Sequence, residues 1–403
     1  MTDTPAPAVR TRALAALTVA NFLMWGGFFM VIPLLSVHYV QGLGWAAATV
    51  GTVLAVRQLT QQGLTVFGGA LSDRLGPRGL ILAGLAVRAV GFAMIGWADT
   101  LPLLLAASLL AGVGGSLFDA PKNAAITALT QPEQRARVFG VMGVAGNLGM
   151  VIGPLVGAFL NRVDFSVVAL VSGGVYLVTL FLILVTLPPL KPSTPEGGLS
   201  GLGIVVRDAP FVLFTVLLMG YNAILVQLNV AVTLKATQLH GVTAVSWLYG
   251  VNAGLAILLQ YPLLRYAERR LPLTRVLVIG VTLTALGLAS MAAAHTFAVL
   301  IVCLVVFSFG SMLGYPVQQT LTARLARRGL YGAYFGFGAL SLGVGGAVGN
   351  ALGGALYDAA GHLGMPALPW VTFGLVGLLT ATGLHVTLRP GRLEAPQEEE
   401  RAP

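Results

Sequence analysis

Gly69-Ala70-Leu71-Ser72-Asp73-Arg74-Leu75-Gly76-Pro77-Arg78 lies between two long apolar stretches, and its reading decides the fold. Glycines bound a turn in which one acid stands among basic residues, at the point where a membrane helix should end. Such a hairpin keeps the connection short and lets two helix ends approach closely, because glycine adopts backbone conformations closed to other residues. It also fixes an acid where it can meet a helix N-terminus or an arginine.

Outward from the hairpin the whole chain is apolar. Of its 403 residues 56% are hydrophobic and 9% charged, and the mean hydropathy is +0.86. A soluble domain has about 25% charged residues, so this chain belongs in a lipid bilayer. A spanning helix needs about 20 apolar residues. Runs separated by charge, Gly/Pro or polar breaks fall at 13–37, 46–70, 79–97, 101–123, 138–160, 166–187, 210–235, 244–264, 276–294, 297–321, 331–356 and 369–388. The expectation is an all-α membrane protein of twelve transmembrane helices. Arg10 and Arg12 precede an apolar run that continues to Val37, longer than the roughly 7–15 residues of a signal-peptide core, so it reads as the first span.

The formal charge of +9 does not imply nucleic acid as a partner, because the basic residues stand singly or in pairs at the ends of apolar runs. Eighteen of the 23 Lys and Arg fall on the N-terminal side of the twelve spans, and only Arg162 lies clearly opposite. The positive-inside rule then puts both termini in the cytoplasm. Cys303 is the single cysteine, which excludes an intrachain disulfide and a cysteine metal site. Four of the five histidines, His38, His240, His295 and His362, map to outer loops without ligand spacing. No phosphate-binding loop or nucleophile–base–acid set is present, so neither an enzyme nor a cofactor is expected.

The longest internal break, residues 188–209, is rich in Pro and Gly and reads as a cytoplasmic linker. It divides a six-helix bundle at 1–187 from another at 210–388, and 389–403 reads as a disordered tail. An internal repeat supports this division. Ser116, Pro121 and Thr127 recur as Ser311, Pro316 and Thr322, and Phe139-Gly140 as Phe335-Gly336. In the same register Gly149, Gly153 and Gly157 recur as Gly345, Gly349 and Gly353, with Asn350 in place of Pro154. Two pseudo-symmetric halves of this kind can rock about a midplane site. Gly146, Gly149, Gly153 and Gly157 also form a smooth helical stripe for close packing of another helix.

The hairpin resembles the loop between the second and third helices of major facilitator superfamily transporters, with Pro77 in a slot that is usually basic. The stripe from Gly146 to Gly157 with Pro154 is similar to that superfamily's antiporter signature. Nearly the whole chain resembles its drug-efflux members, most closely the MdtH-type branch of multidrug exporters, through Gly44-Trp45-Ala46-Ala47, Arg57-Gln58, Gln61-Gln62-Gly63, Arg88-Ala89-Val90-Gly91 and Gly114 to Pro121. The resemblance implies a major facilitator fold and proton-driven export of amphipathic small molecules across the inner membrane by a monomer. It departs from the drug antiporters at Ser108, where they carry an arginine, and at Ala20-Asn21, where they carry an acid.

Thirteen of the fourteen carboxylates fall in loops, linker or tails, which leaves Asp119 as the intramembrane acid. Asp119 is either the proton carrier, since burial can raise a carboxylate pKa toward neutrality, or a member of a latch with Gly69, Asp73, Arg74, Gly76 and Arg78. The second role is implied by similar transporters. Arg57 and Arg88 sit near the middle of spans and must face protein or water. Arg57 either bonds to helix carbonyls, Gln58, Gln61 or the other half, or binds an anionic or polar substrate or modulates an acid, whereas Lys122 and Lys235 read as snorkelling at helix ends. In the resembled superfamily the first, fourth, seventh and tenth spans line the cavity. Asn21, Trp25 and Phe28 share a face of the first span, and Asn222 and Asn229, beside Tyr221, share a face of the seventh at i and i+7. With Arg57, Gln61 and Asn252 they form the expected substrate cavity. An exporter of a neutral or anionic solute with weak proton coupling is the alternative, and a sensor or scaffold without flux a third reading.

Overall fold

The computed structural model describes residues 7–190, 200–327 and 331–388, and these are almost wholly helical. The helices are α1 Pro7–Ser36, α2 Ala47–Leu75, α3 Pro77–Ile95, α4 Leu101–Leu129, α5 Pro132–Leu160, α6 Phe165–Thr186 and α7 Ser200–Arg207. They continue with α8 Ala209–Leu225, α9 Ala231–His240, α10 Thr243–Arg270, α11 Leu273–Ser290, α12 Phe297–Leu325, α13 Tyr331–Leu363 and α14 Leu368–Thr387. Among the described residues, eleven helical segments are long and apolar enough to cross a membrane. The 29-residue α2 is long enough but falls outside those eleven, and carries Arg57, Gln58, Gln61 and Gln62 along its middle.

The opening hairpin is tighter than a loop. Gly76 alone separates α2 from α3, at φ 84° and ψ 147°, and its N–H donates to the Ser72 carbonyl at 2.9 Å. That backbone region is open essentially to glycine. A Cβ there would also press on the Leu190 carbonyl. Pro77 then occupies the first turn of α3, where its missing N–H costs nothing and its fixed φ suits the helix. The basic slot is thus filled by a helix starter.

Two compact units result. The first gathers α1 to α6 with Leu228–Gly254 and Asn350–Ala355. Within it α1 packs between α5 and α6, while α4 packs on α2 and α3. The stripe on α5 lies directly on α1: a methyl at Gly149 would meet the Phe22 carbonyl, at Gly153 that of Gly26, and at Gly157 that of Met30. Several polar contacts bind the outlying segments into the first unit. Ser36 Oγ donates to the Asn229 carbonyl at 3.1 Å, and Gln41 Nε2 donates to Thr237 Oγ1 at 2.7 Å. Gly51 abuts the Asn350 carbonyl and Gly354 that of Ala47.

The second unit holds α7, α8 to Gln227, α10 from Leu255, α11, α12, α13 up to Gly349 and from Leu356, and α14. In it α11 packs on α12 and α14, and α14 on α8. Asp208 caps α8, accepting from Phe211 N at 3.3 Å and from the Tyr334 hydroxyl at 2.6 Å.

Within the stretch 188–209, α7 and the Asp208 cap occupy the end, and 191–199 lie outside the described residues. One expectation needs correction. The seventh span is not one continuous helix: α8 stops at Leu225, a 3-10 turn covers Val226–Asn229, and α9 resumes at Ala231. Asn222 and Asn229 therefore do not share one α-helical face, since the i and i+7 rule requires unbroken 3.6-residue winding. The Gln227 amide takes up carbonyls near the break, donating to Ala223 O at 2.8 Å and Gly349 O at 2.9 Å.

Candidate functional site

Arg57 sits on α2 one residue before Gln58 and one helical turn before Gln61. The i, i+4 spacing brings the Gln61 side chain beneath it. The guanidinium donates to Gln61 Oε1 at 2.8 Å and to Gln58 Oε1 at 3.0 Å. Gln61 in turn donates through Nε2 to Asp119 Oδ2 on α4, at 3.1 Å. Asp119 Oδ1 lies 4.0 Å from Lys122 Nζ, a pair at i, i+3 on the same helix. Lys122 Nζ donates to Asn21 Oδ1 on α1 at 2.8 Å, and Asn21 Nδ2 donates to the Met142 carbonyl on α5 at 2.8 Å. A continuous polar chain thus runs through four helices of the first unit.

Aromatic rings wall this chain. The Arg57 guanidinium carbon stands 4.8 Å from the Phe28 ring centre. Arg88 on α3 lies 5.6 Å from Phe28, 5.5 Å from Phe92 and 5.2 Å from Tyr176. Trp25 meets Phe28 edge-on at 6.2 Å and stacks on Phe29 at 5.8 Å. Cations over ring faces are held by the ring quadrupole, which offsets part of the cost of a midplane arginine, at least ~2.5–3.5 kcal/mol on insertion scales. Arg57 and Arg88 are buried, and among the described residues the Nε of each has no hydrogen-bond partner. Among the described residues neither forms an ion pair with a carboxylate.

The structure brings together Asn21, Phe28, Arg57, Gln61 and Asp119, with Trp25 at the rim. Lys122 joins them, a correction to the snorkelling expectation: its side chain is 12% exposed and held by Asn21 and Asp119. A buried amide and a partly exposed carboxylate supply what an interfacial position would otherwise provide. The other residues lie elsewhere. Tyr221 is fully buried in the second unit with its hydroxyl against Gly314. Asn222 is equally buried, donating to Leu218 O at 3.0 Å and Ser341 Oγ at 3.2 Å. Asn229 Oδ1 accepts from the Tyr249 hydroxyl at 3.0 Å in the first unit. Asn252 is half-buried on α10.

Of the hairpin residues, Arg78 donates to the Leu184 carbonyl on α6 at 2.8 Å and makes no ion pair with Asp119. Gly69 lies within α2, and the side chains of Asp73 and Arg74 lie outside the described residues. Gly146 faces the side chains of Trp25 and Asn21. Gly345 and Gly349 press on α8 at Met219 and Ala223, and Gly353 is buried in α13 beside Gly354. Gln58 and Gln61, within one turn of Arg57, are the partners its sequence neighbourhood offered, and both bond to it. Sequence reasoning missed Gln227 at the helix break, which nothing local announces.

The Major Facilitator Superfamily model matches residues 17–236 and 227–403. The chain is 38% identical over 377 residues to the multidrug resistance protein MdtH of Yersinia pestis (strain Pestoides F), covering 93% of this chain and 94% of that one. The protein of the same name from Yersinia pseudotuberculosis serotype O:3 (strain YPIII) matches to the same extent. Among solved structures, the POT family transporter PepTSo superposes with a TM-score of 0.81 at 13% identity, covering 94% of this chain and 98% of that one. The nucleoside transporter NupG superposes at 0.79 with 14% identity, over 94% and 100% of the two chains.

Proposed function

The chain belongs to the major facilitator superfamily and is a multi-pass membrane transporter rather than an enzyme, and from that premise we propose that it exports amphipathic small molecules in exchange for protons. The observation that carries this reading is the near full-length identity of 38% to proteins named for multidrug resistance. Twelve spans in two six-helix bundles, at 1–187 and 210–388, a linker between them and both termini in the cytoplasm complete the proposal. The Lys and Arg asymmetry supports that orientation. The inner membrane is the proposed location, and the monomer the proposed working form.

Asp119 is the proposed proton carrier. Its side chain is 40% exposed, so a proton can reach it, and its two oxygens touch Gln61 and Lys122. A carboxylate joined to a cation on one side and an amide on the other changes the charge of the whole chain when it protonates. The hairpin residues Gly69, Asp73, Arg74, Gly76 and Arg78 are proposed to time the rocking through α2 and α3. Everted membrane vesicles with an imposed pH gradient test the coupling: Asp119→Asn is expected to cut uptake of a cationic dye by more than about tenfold. Uptake at the unsubstituted rate would remove Asp119 from this role.

A neutral or anionic solute, weakly coupled to protons, is the second reading. It is favoured by one observation, the excess of Arg57, Arg88 and Lys122 over Asp119, the one carboxylate within the apolar runs.

A further inference from the structure

We propose that Arg57 is the receptor for a carboxylate on the transported molecule, and that this carboxylate takes the place of the Gln61 side chain and frees Asp119. The inference rests on the export reading above and names the chemistry of its substrate.

The Arg57 side chain is only 3% exposed, and both of its described hydrogen bonds go to neutral amide oxygens, those of Gln58 and Gln61. Two such oxygens accept from the guanidinium but carry no charge to neutralise it. Arginine's planar fork pairs with a carboxylate through two parallel bonds, and charge-assisted bonds are about twice as strong as neutral ones. An arriving carboxylate is therefore a better partner for Arg57 than the glutamine it displaces. Arg88, 4% exposed and set among three rings, adds a second cation without a described carboxylate partner. Both guanidiniums lie over the Phe28 ring, at 4.8 and 5.6 Å from its centre.

The exposed members of the cluster mark the side from which the substrate would approach. Asp119 has 40% of its side chain exposed and Trp25 is 38% exposed, while Gln61 is half-buried between that rim and Arg57. Gln61 holds Arg57 with its oxygen and Asp119 with its nitrogen. Displacing it from one end breaks its geometry at the other. Substrate arrival is thereby communicated to the proposed proton carrier through a single side chain.

The test uses the full-length protein in detergent and a matched pair of probes: a rhodamine with a free carboxylate and the methyl ester of the same dye. Fluorescence anisotropy titrations should give the acid an affinity about tenfold above the ester. That ratio should fall to about one in Arg57→Gln and in Gln61→Glu, and fall only in part in Arg57→Lys, which keeps the charge but not the bidentate fork. Gln61→Glu guards against misfolding, because it supplies an internal carboxylate to Arg57 rather than removing a partner. Equal affinities in the unsubstituted protein, or a ratio unmoved by both Arg57→Gln and Gln61→Glu, would overturn the proposal. Proteoliposomes under a pH gradient separate it from the export reading. Selective binding of the acid with no movement of either dye sinks export and keeps the carboxylate site; equal binding with transport of both dyes does the reverse.

Discussion

Lys122 shows how a single residue can invert an expectation. Its flexible stem would let it reach an interface, yet its ammonium is tied to Asn21 at 2.8 Å and lies 4.0 Å from Asp119. Removing it leaves the buried Asn21 oxygen without that donor and Asp119 without its cation. A partner lost from a buried polar group costs about 1–3 kcal/mol. Lys122→Met should accordingly lower the thermal unfolding midpoint of the detergent-purified protein, whereas Asp119→Asn, which keeps a side-chain acceptor for Gln61, should lower it less. Equal shifts would mean that Lys122 contributes little beyond its neighbour. The acid of this cluster was legible in the sequence, because every other carboxylate falls outside the apolar runs. The lysine was not: its environment is set by Asn21, 101 positions away in the chain.

At the scale of elements, the α5 stripe and its contact with α1 make the most direct claim. Gly153 is backed by the carbonyl of Gly26 and the N–H of Met30. Overpacking a tight contact costs typically about 1–3 kcal/mol, and here it would also part Asn21 from the Met142 carbonyl. Gly153→Val should lower the melting temperature and impair transport together. Gly143 faces open space on the same helix, and Gly143→Ala should be neutral or stabilising by about 0.5–1 kcal/mol. Similar losses at both positions would show that the stripe is not specific to α1. Apolar run length made the helices legible and glycine spacing suggested a packing face. The break at Val226–Asn229 was hidden because Val-Gln-Leu-Asn sits inside an otherwise apolar run, and the Gly349 carbonyl that engages Gln227 is remote in sequence.

For the whole molecule, the proposed cycle requires the contacts that hold Leu228–Gly254 against α1 to open and re-form. Gln41 and Thr237, joined at 2.7 Å, offer a place to test this. Cysteines at both positions, bridged by a short thiol crosslinker, should arrest transport, and reduction of a cleavable crosslinker should restore it. The lone native cysteine, Cys303, is buried and gives little background. Transport undiminished by the crosslink would mean that this end stays closed throughout turnover. An all-helical membrane fold followed from composition alone, but the association of Asn350–Ala355 with the first unit did not. It depends on backbone approach at Gly51 and Gly354, which leaves no trace in hydropathy.

Gly76 gives the hairpin a mechanical character. With one residue between α2 and α3, and that residue followed by a ring-locked proline, the joint has no slack in which a displacement could be lost. A displacement of the end of α2 passes to the start of α3 through that one residue rather than spreading over a loop. The two arginines beside Phe28 sit on the arms of one elbow.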